Sequence, residues 1–446
     1  MNKEEFQQFL NQSIVLLDGA TGSNLQKNGM PAGICVEQWV CEHEEVLQEL
    51  QKDYIRCGSQ IVYASTFGAN RIKLKEFGLE EQAGEINRRA VAVSLKAAQG
   101  KALVAGDITM TGQQLEPLGP VTFEEVVEVY KEQMSALEQA GADLLVVETM
   151  MSLQETRAAL IAAKEAVSLP VMATMSFDEE GRTLYGTDAK TAAIVLESLG
   201  AAALGINCSA GPDKMRNVVR QMREAAEVPI IAKPNAGIPK LGKNGITEYD
   251  MPIEEFAEHM AALAQEGASV LGGCCGTSPE YIQAVKEKVQ NINISFPASD
   301  NRPIYITSER RTIEWNEECS IGRIGNSNME ELNEDWEEEI YDSLYNAIDD
   351  YEDQDVLCIC VDGSPAEREE MMRRVVKETV GYTSIPLVFQ SAYPQVLEAA
   401  LRIYPGRAGI LAAEGQEPES LTAVAAEYGA VLLETPISFG SCESCG

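Results

Sequence analysis

The feature that most constrains this chain is a repeat. Through the first 290 residues a short aliphatic and β-branched run gives way to a polar or glycine-rich turn and then to an amphipathic helical pattern, and the unit recurs eight times. The apolar runs are IVLL before Asp18, IVYA before Ser65, ALVA before Gly106, LLVV before Glu148, VMAT at 171–174, ALGI before Asn207, IIA at 230–232 and SVLG before Gly273. Strands that are apolar along their whole length and separated by helices form a parallel sheet covered on both faces. Eight of them in about 280 residues predict an α/β fold of the closed (β/α)8 TIM-barrel kind, with a doubly wound open sheet as the alternative. Helix signals agree: Thr122 stands three residues before Glu125 at capping-box spacing, and Gly141 closes the helix predicted over 122–140.

The period is lost in NINISFPASDNRP at 291–303, which reads as a linker, so the boundary falls near 298 and the domains are 1–298 and 299–446. Five further strand-like runs, at 304–307, 356–361, 386–389, 408–412 and 430–434, predict a second, smaller α/β unit of half-barrel size. That unit is acidic, with 10 basic and 29 acidic side chains in 301–446. Its most acidic stretch spaces Leu332, Trp336, Ile340, Leu344 and Ile348 about four apart, the pattern of a helix with one buried face rather than of an acidic tail. Over the whole chain 35 basic and 70 acidic residues give a net charge of −35, which excludes nucleic acid and anionic membrane surfaces as expected partners. No apolar run approaches the ~18 to 20 residues of a membrane-spanning helix, and the opening MNKEEFQQFL is not a charged-then-apolar leader. The expectation is a cytoplasmic protein with reduced thiols.

Reduced thiols matter because there are eleven cysteines and only two histidines, His43 and His259, both in helical stretches. Histidine-based triads and histidine-rich metal sites are therefore excluded. In a barrel of this kind the chemistry sits at the C-terminal ends of the strands. Pooling those ends gathers Asp18, Thr66, Asp107, Glu148, Asn207, Cys208, Asn235, Cys274 and Cys275. Cys208 closes GINC, and Cys274 and Cys275 lie in GGCCGT, where flanking glycines allow adjacent thiols to converge. Three thiolates without histidine suit Zn²⁺, with Zn–S near about 2.3 Å and a fourth position open for a reactant. Burial as small apolar residues is the alternative for Cys208 alone, whereas a cysteine pair behind two glycines is a poor core filler. Cys35, Cys41 and Cys57 read as structural, and Cys442-x-x-Cys445 as a frayed terminus rather than a metal or redox pair.

Seven segments in order, DGATG, STFGAN, AGDITMTGQQLEPLGP, VVETM, GINCSAGP, KPNAGIP and GGCCGTSPE, resemble the homocysteine S-methyltransferase family, which includes the homocysteine-binding module of cobalamin-dependent methionine synthase. The likeness runs from about residue 10 to 290. It implies that Cys208, Cys274 and Cys275 hold zinc and that a homocysteine thiol bound there accepts a methyl group to become methionine, with no protein nucleophile. It also implies that Asp18, with Gly19, and Glu148 face the substrate amine, that Thr66 and Phe67 line the amino-acid pocket, and that Asn235 lies beside the open metal position; Asp107 and Asn207 are secondary candidates. DGATGS and GDITMTG depart from the DGAMGT and GDIGPTG of many relatives, so contacts near the pocket or the donor differ.

Residues 303–435 resemble the first half of the pterin-binding barrel of methionine synthases, with ITSERRT at 306–312 and YPQVLEAALRIYPG at 393–406 carrying the likeness. Cys358 and Cys360 stand in place of an Asp-x-Asn pair and Gln390 in place of an Asp, which implies a unit that no longer binds folate and serves in packing or interaction. With two histidines no cobalamin-binding DxHxxG motif exists, so methylcobalamin would have to arrive on a separate corrinoid protein. A small donor such as S-methylmethionine needs no such partner. The rival readings are a zinc-loaded homocysteine-binding regulatory protein without turnover and a methyltransferase for another thiol.

Overall fold

A computed structural model describes residues 1–241, 247–294, 302–325, 339–361, 365–413, 416 and 418–433. The chain forms two compact units, Met1–Ala298 and Ser299–Gly446. Cys442, Cys445, Leu332 and Trp336 lie outside the described residues.

In the first unit the strands are β1 (Val15–Leu16), β2 (Ile61–Tyr63), β3 (Leu103–Ile108), β4 (Leu144–Met150), β5 (Val171–Met175), β6 (Ala203–Cys208), β7 (Ile230–Pro234) and β8 (Ala268–Leu271). Every neighbouring pair is parallel, from β2 through β7 to β8 and on to β1. A parallel bridge between Leu17 and Ile61, with Gln60 N donating to Leu16 O at 2.7 Å, joins the first strand to the second. The barrel is thus closed, and the open-sheet alternative falls. All eight apolar runs lie where the sequence reading put them, because side chains buried on both faces leave no polar alternation to mislead it.

The barrel is filled by Val15, Leu17, Ile61, Tyr63, Ala105, Leu144, Val146, Met172, Ala203, Ile231 and Val270. Phe6 and Leu10, from a helix over Lys3–Gln12 that opens with an Asn2/Glu5 capping box, belong to the same buried cluster. Close strand approach limits side-chain size at one point: a Cβ on Gly205 would stand 2.0 Å from the Ile231 carbonyl oxygen. The expected helix is observed as Phe123–Gln139, with Thr122 and Glu125 forming its capping box.

The second unit holds an antiparallel hairpin, β9 (Ile304–Thr307) with β10 (Thr312–Trp315). A five-stranded parallel sheet follows in chain order: β11 (Ile321–Ile324), β12 (Val356–Cys360), β13 (Leu387–Gln390), β14 (Gly409–Leu411) and β15 (Val431–Leu432). The run at 304–307 is therefore a hairpin strand and not the first strand of the parallel sheet. That place belongs to IGRI, which the sequence reading passed over because a glycine and an arginine interrupt its apolar run. Cys358 is fully buried among Ile306, Val356, Val388 and Leu411, and Leu344 and Ile348 are buried on the described part of the acidic helix. No helix among the described residues is long and apolar enough to cross a membrane.

Gly205→Ala places a methyl group against backbone that cannot rotate away. It is expected to destabilise the barrel by about 1–3 kcal/mol or more, read from the denaturant midpoint.

Candidate metal centre and substrate cavity

The three cysteines reach one point from the end of β6 and from the turn after β8, the two strands that flank β7. Cys208 is the last residue of β6 and adopts a left-handed backbone, φ 64°, rare for a residue with a side chain. Cys274 and Cys275 lie past β8 on a turn that is stitched to its neighbours: Gly273 N donates to Asp18 O at 3.0 Å and Cys274 N to Pro234 O at 2.7 Å. Ala236 N returns a bond to Cys275 O at 2.9 Å. Thr277 fixes the same turn, its hydroxyl donating to Cys274 O at 2.7 Å and accepting from Ala20 N at 3.1 Å. Gly276, φ 85°, completes the reversal. As a result the Sγ atoms of Cys208, Cys274 and Cys275 all lie within 4.8 Å of one another.

Their protons are shared unequally. The Cys275 thiol is pulled down to about 2 by hydrogen bonds from Cys208 and Cys274. Cys274 is pushed well up, first by its hydrogen bonds to Cys208 and Cys275 and then by burial. That donor set fits a thiophilic divalent metal, zinc first, with three sulfur ligands and room for a fourth. Asn235, 4 % exposed, leaves its Oδ1 without a hydrogen bond while its backbone N donates to Ala210 O at 3.1 Å.

The trio opens on a cavity of about 260 Å³ lined also by Asp18, Gly19, Glu37, Phe67, Asp107, Glu148, Thr149 and Lys233. Asp18 accepts from Tyr63 N at 2.8 Å through Oδ2, and burial raises its carboxyl to about 7 against the pull of Lys233. Asp18 Oδ1 and Asp107 Oδ1 accept no hydrogen bond. Asn207 orients Glu148: its Oδ1 accepts from Thr149 N at 2.8 Å and Thr174 Oγ1 at 2.9 Å, and its Nδ2 donates to Glu148 Oε2 at 3.3 Å. Thr149 is itself left-handed, φ 61°, where the β4–β5 register shifts. Gly19 is obligatory, since a Cβ there would lie 2.6 Å from the Tyr54 hydroxyl.

Thr66 is brought near but not into the cavity lining. Its hydroxyl donates to Asp107 O at 2.8 Å and accepts from Asp107 N at 2.9 Å, which holds the β2 and β3 loops together. Phe67, 36 % exposed, does line the cavity.

Two residues escaped the sequence reading. Lys233, 4 % exposed, sets its Nζ 3.7 Å from Glu148 and 4.0 Å from Asp18, over the Tyr63 ring at 4.7 Å. The acids around it, with Glu148 foremost, raise its pKa despite burial, so it stays charged. The available signal was three acids at strand ends, which buried together require a cation. Glu37 comes from a loop helix, accepting from Gly68 N at 2.6 Å and from the Cys35 thiol at 3.4 Å. One ammonium thus faces four carboxyl groups, Asp18, Asp107, Glu148 and Glu37, and burial pushes the first three toward their protonated forms.

Comparison with known proteins identifies the family of the barrel. Residues 15–289 match the family model described as homocysteine S-methyltransferase. Methionine synthases of Mycobacterium tuberculosis and Mycobacterium leprae are 27 % and 28 % identical over 96 % of this chain, which spans only 38 % of either relative. The homocysteine methyltransferase MmuM of Escherichia coli in its oxidized form superposes with a TM-score of 0.55 at 23 % identity, covering 65 % of this chain and 100 % of that one. Its metallated form gives 0.53 at 24 %, covering 63 % and 98 %. At that identity the likeness speaks for the barrel alone. By the match over 15–289 the chain belongs to the homocysteine S-methyltransferase family.

Proposed function

We propose that the barrel transfers a methyl group to the thiol of homocysteine, giving methionine, with zinc held by Cys208, Cys274 and Cys275. The observation that carries this reading is the convergence of three Sγ atoms within 4.8 Å beside an acid-lined cavity, in a chain of this family. Zinc there would keep the substrate thiol deprotonated at neutral pH, where a free thiol of pKa near about 8.5 is mostly protonated. The protein's own groups hold the other end of the substrate. Asp18, Asp107 and Glu148 surround the amine and favour its ammonium form, and Lys233 limits their mutual repulsion. Phe67 covers the methylene chain. With the amine fixed, the sulfur is directed at the trio, and proximity replaces general acid–base catalysis.

In the transfer, a sulfur lone pair forms the new S–CH₃ bond while the methyl group's bond to the donor breaks, its electron pair staying on the donor. The thiol proton goes to solvent. The donor is a methylated corrinoid or a small onium compound such as S-methylmethionine. We read the unit Ser299–Gly446 as one that packs or docks without binding folate. In support, Gln390, standing where a pterin-binding residue would, is engaged by Arg323 Nη2 at 2.9 Å and by Ala412 O at 2.9 Å.

Cys275→Ala is expected to lose stoichiometric zinc by metal analysis and about 100-fold or more of methionine formation, since even outer partners of a metal ligand carry 10–100-fold effects. Full zinc occupancy with no turnover from any donor in a panel would favour a thiol-binding protein instead. Glu148→Gln should raise the KM for homocysteine by about 10–100-fold while changing kcat little, because it removes a charged contact made before reaction. Asp18, raised to about 7, loses its charge as pH falls through that value. Homocysteine affinity should therefore fall with decreasing pH through that value, and Asp18→Asn should flatten that dependence at constant metal content. Calorimetry of the full chain with methyltetrahydrofolate should show no binding; tight binding would overturn the reading of the second unit.

A further inference from the structure

The unit Ser299–Gly446 has a cavity of its own, of about 270 Å³, between the β9–β10 turn and the residues that lead into β13 and β14. It lies at the end of the parallel sheet opposite to Gln390, and hydrogen bonds fix its walls. Tyr404 Oη donates to Thr307 O at 2.8 Å and accepts from Leu387 N at 2.9 Å, while Arg407 N donates to Thr307 Oγ1 at 2.9 Å. Within the turn Ser308 Oγ accepts from Arg311 N at 3.0 Å. Another wall is the end of the helix Pro365–Tyr382.

Several polar groups of this lining have no partner. Thr379 is fully buried, and its Oγ1 makes no hydrogen bond. The half-buried Glu309 carboxyl accepts none among the described residues. The last turn of the helix holds no basic side chain, and beyond Thr383 N on Thr379 O at 2.9 Å no backbone donor caps its carbonyls among the described residues. A helix C-terminus carries partial negative charge, so these groups share one sign. Arg310, the basic residue of the lining, is exposed, and its pull on Glu309 is outweighed by burial, which pushes that carboxyl up.

We propose that this cavity binds a small organic ammonium ion, a primary amine on a short apolar body, through the Glu309 carboxylate, the Thr379 hydroxyl and the final carbonyls of the helix Pro365–Tyr382. A primary ammonium brings several N–H donors and a positive charge to groups that lack both. Its charge also favours the ionised form of Glu309 that burial disfavours. A bare metal cation would suit the oxygens but not the space, since a single water takes up only about 30 Å³. The side chains of Ile385, Leu387 and Tyr404 in the lining suit a carbon body. The volume lies just below the ~300–1,000 Å³ of drug-sized ligand sites, which fits a molecule of metabolite size.

The barrel cavity favours a cation too, so binding to the full chain is localised by hydrogen exchange read peptide by peptide. n-Butylamine, charged at neutral pH, is expected to slow exchange in peptides covering 305–311 and 378–387. 1-Butanol, of the same length without the charge, should leave them unchanged, a comparison that needs no variant. Affinity read from these peptides should fall about 10–100-fold in Glu309→Gln and about 3–10-fold in Thr379→Val. Thr379→Val keeps the shape and removes a buried hydroxyl that has no partner, so it should not weaken the fold. Absence of protection in these peptides with n-butylamine would overturn the proposal, as would equal protection by 1-butanol or wild-type affinity in either variant.

Discussion

Closure of the barrel is the constraint on which the site depends. Asp18 and Cys275 lie at opposite ends of the first unit in sequence, yet the parallel pairing of β8 with β1 brings them to one rim. The seam is sealed by Gly273 N on Asp18 O and Cys274 N on Pro234 O, so the turn carrying two thiols is held by backbone from both adjoining strands. A loop on an open sheet edge would lack one of these two anchors. The thiols converge because the sheet has no edge there.

The second determinant is electrostatic. Burying Asp18, Asp107 and Glu148 together is unfavourable, as their upward pKa shifts record, and desolvation is the largest cause for each. Lys233 offsets part of that cost from within β7, and Asn207 commits its amide to Glu148. What remains uncompensated is directed into the cavity. The site therefore favours a cationic group by the same imbalance that makes it unfavourable when empty.

The barrel was legible because its strands are apolar throughout and their polar ends coincide with the rim. The cysteine trio was legible because two adjacent thiols behind glycines serve a core badly. Lys233 was not, since a lone lysine at the end of IIA reads as a solvated strand terminus until the three acids opposite it are known to be buried. Glu37 could not be found by pooling strand ends, because it arrives from a loop helix. Thr66 sits at a strand end like its neighbours, but a reciprocal bond with the Asp107 backbone occupies its hydroxyl, and no periodicity reports that. In the second unit, IGRI was hidden by a glycine and a charge inside a strand of only four residues.

The left-handed backbone at Cys208 has a thermodynamic consequence of its own. A residue with a side chain resists φ 64°, and here it sits beside Asn207, whose amide also holds the left-handed Thr149 on β4, two strands away. Two disfavoured conformations are thus locked to each other at the mouth of the barrel. A cation gripping the Cys208 sulfur would lend its binding energy to that lock, making the metal a structural fastener of the rim as well as part of the chemistry.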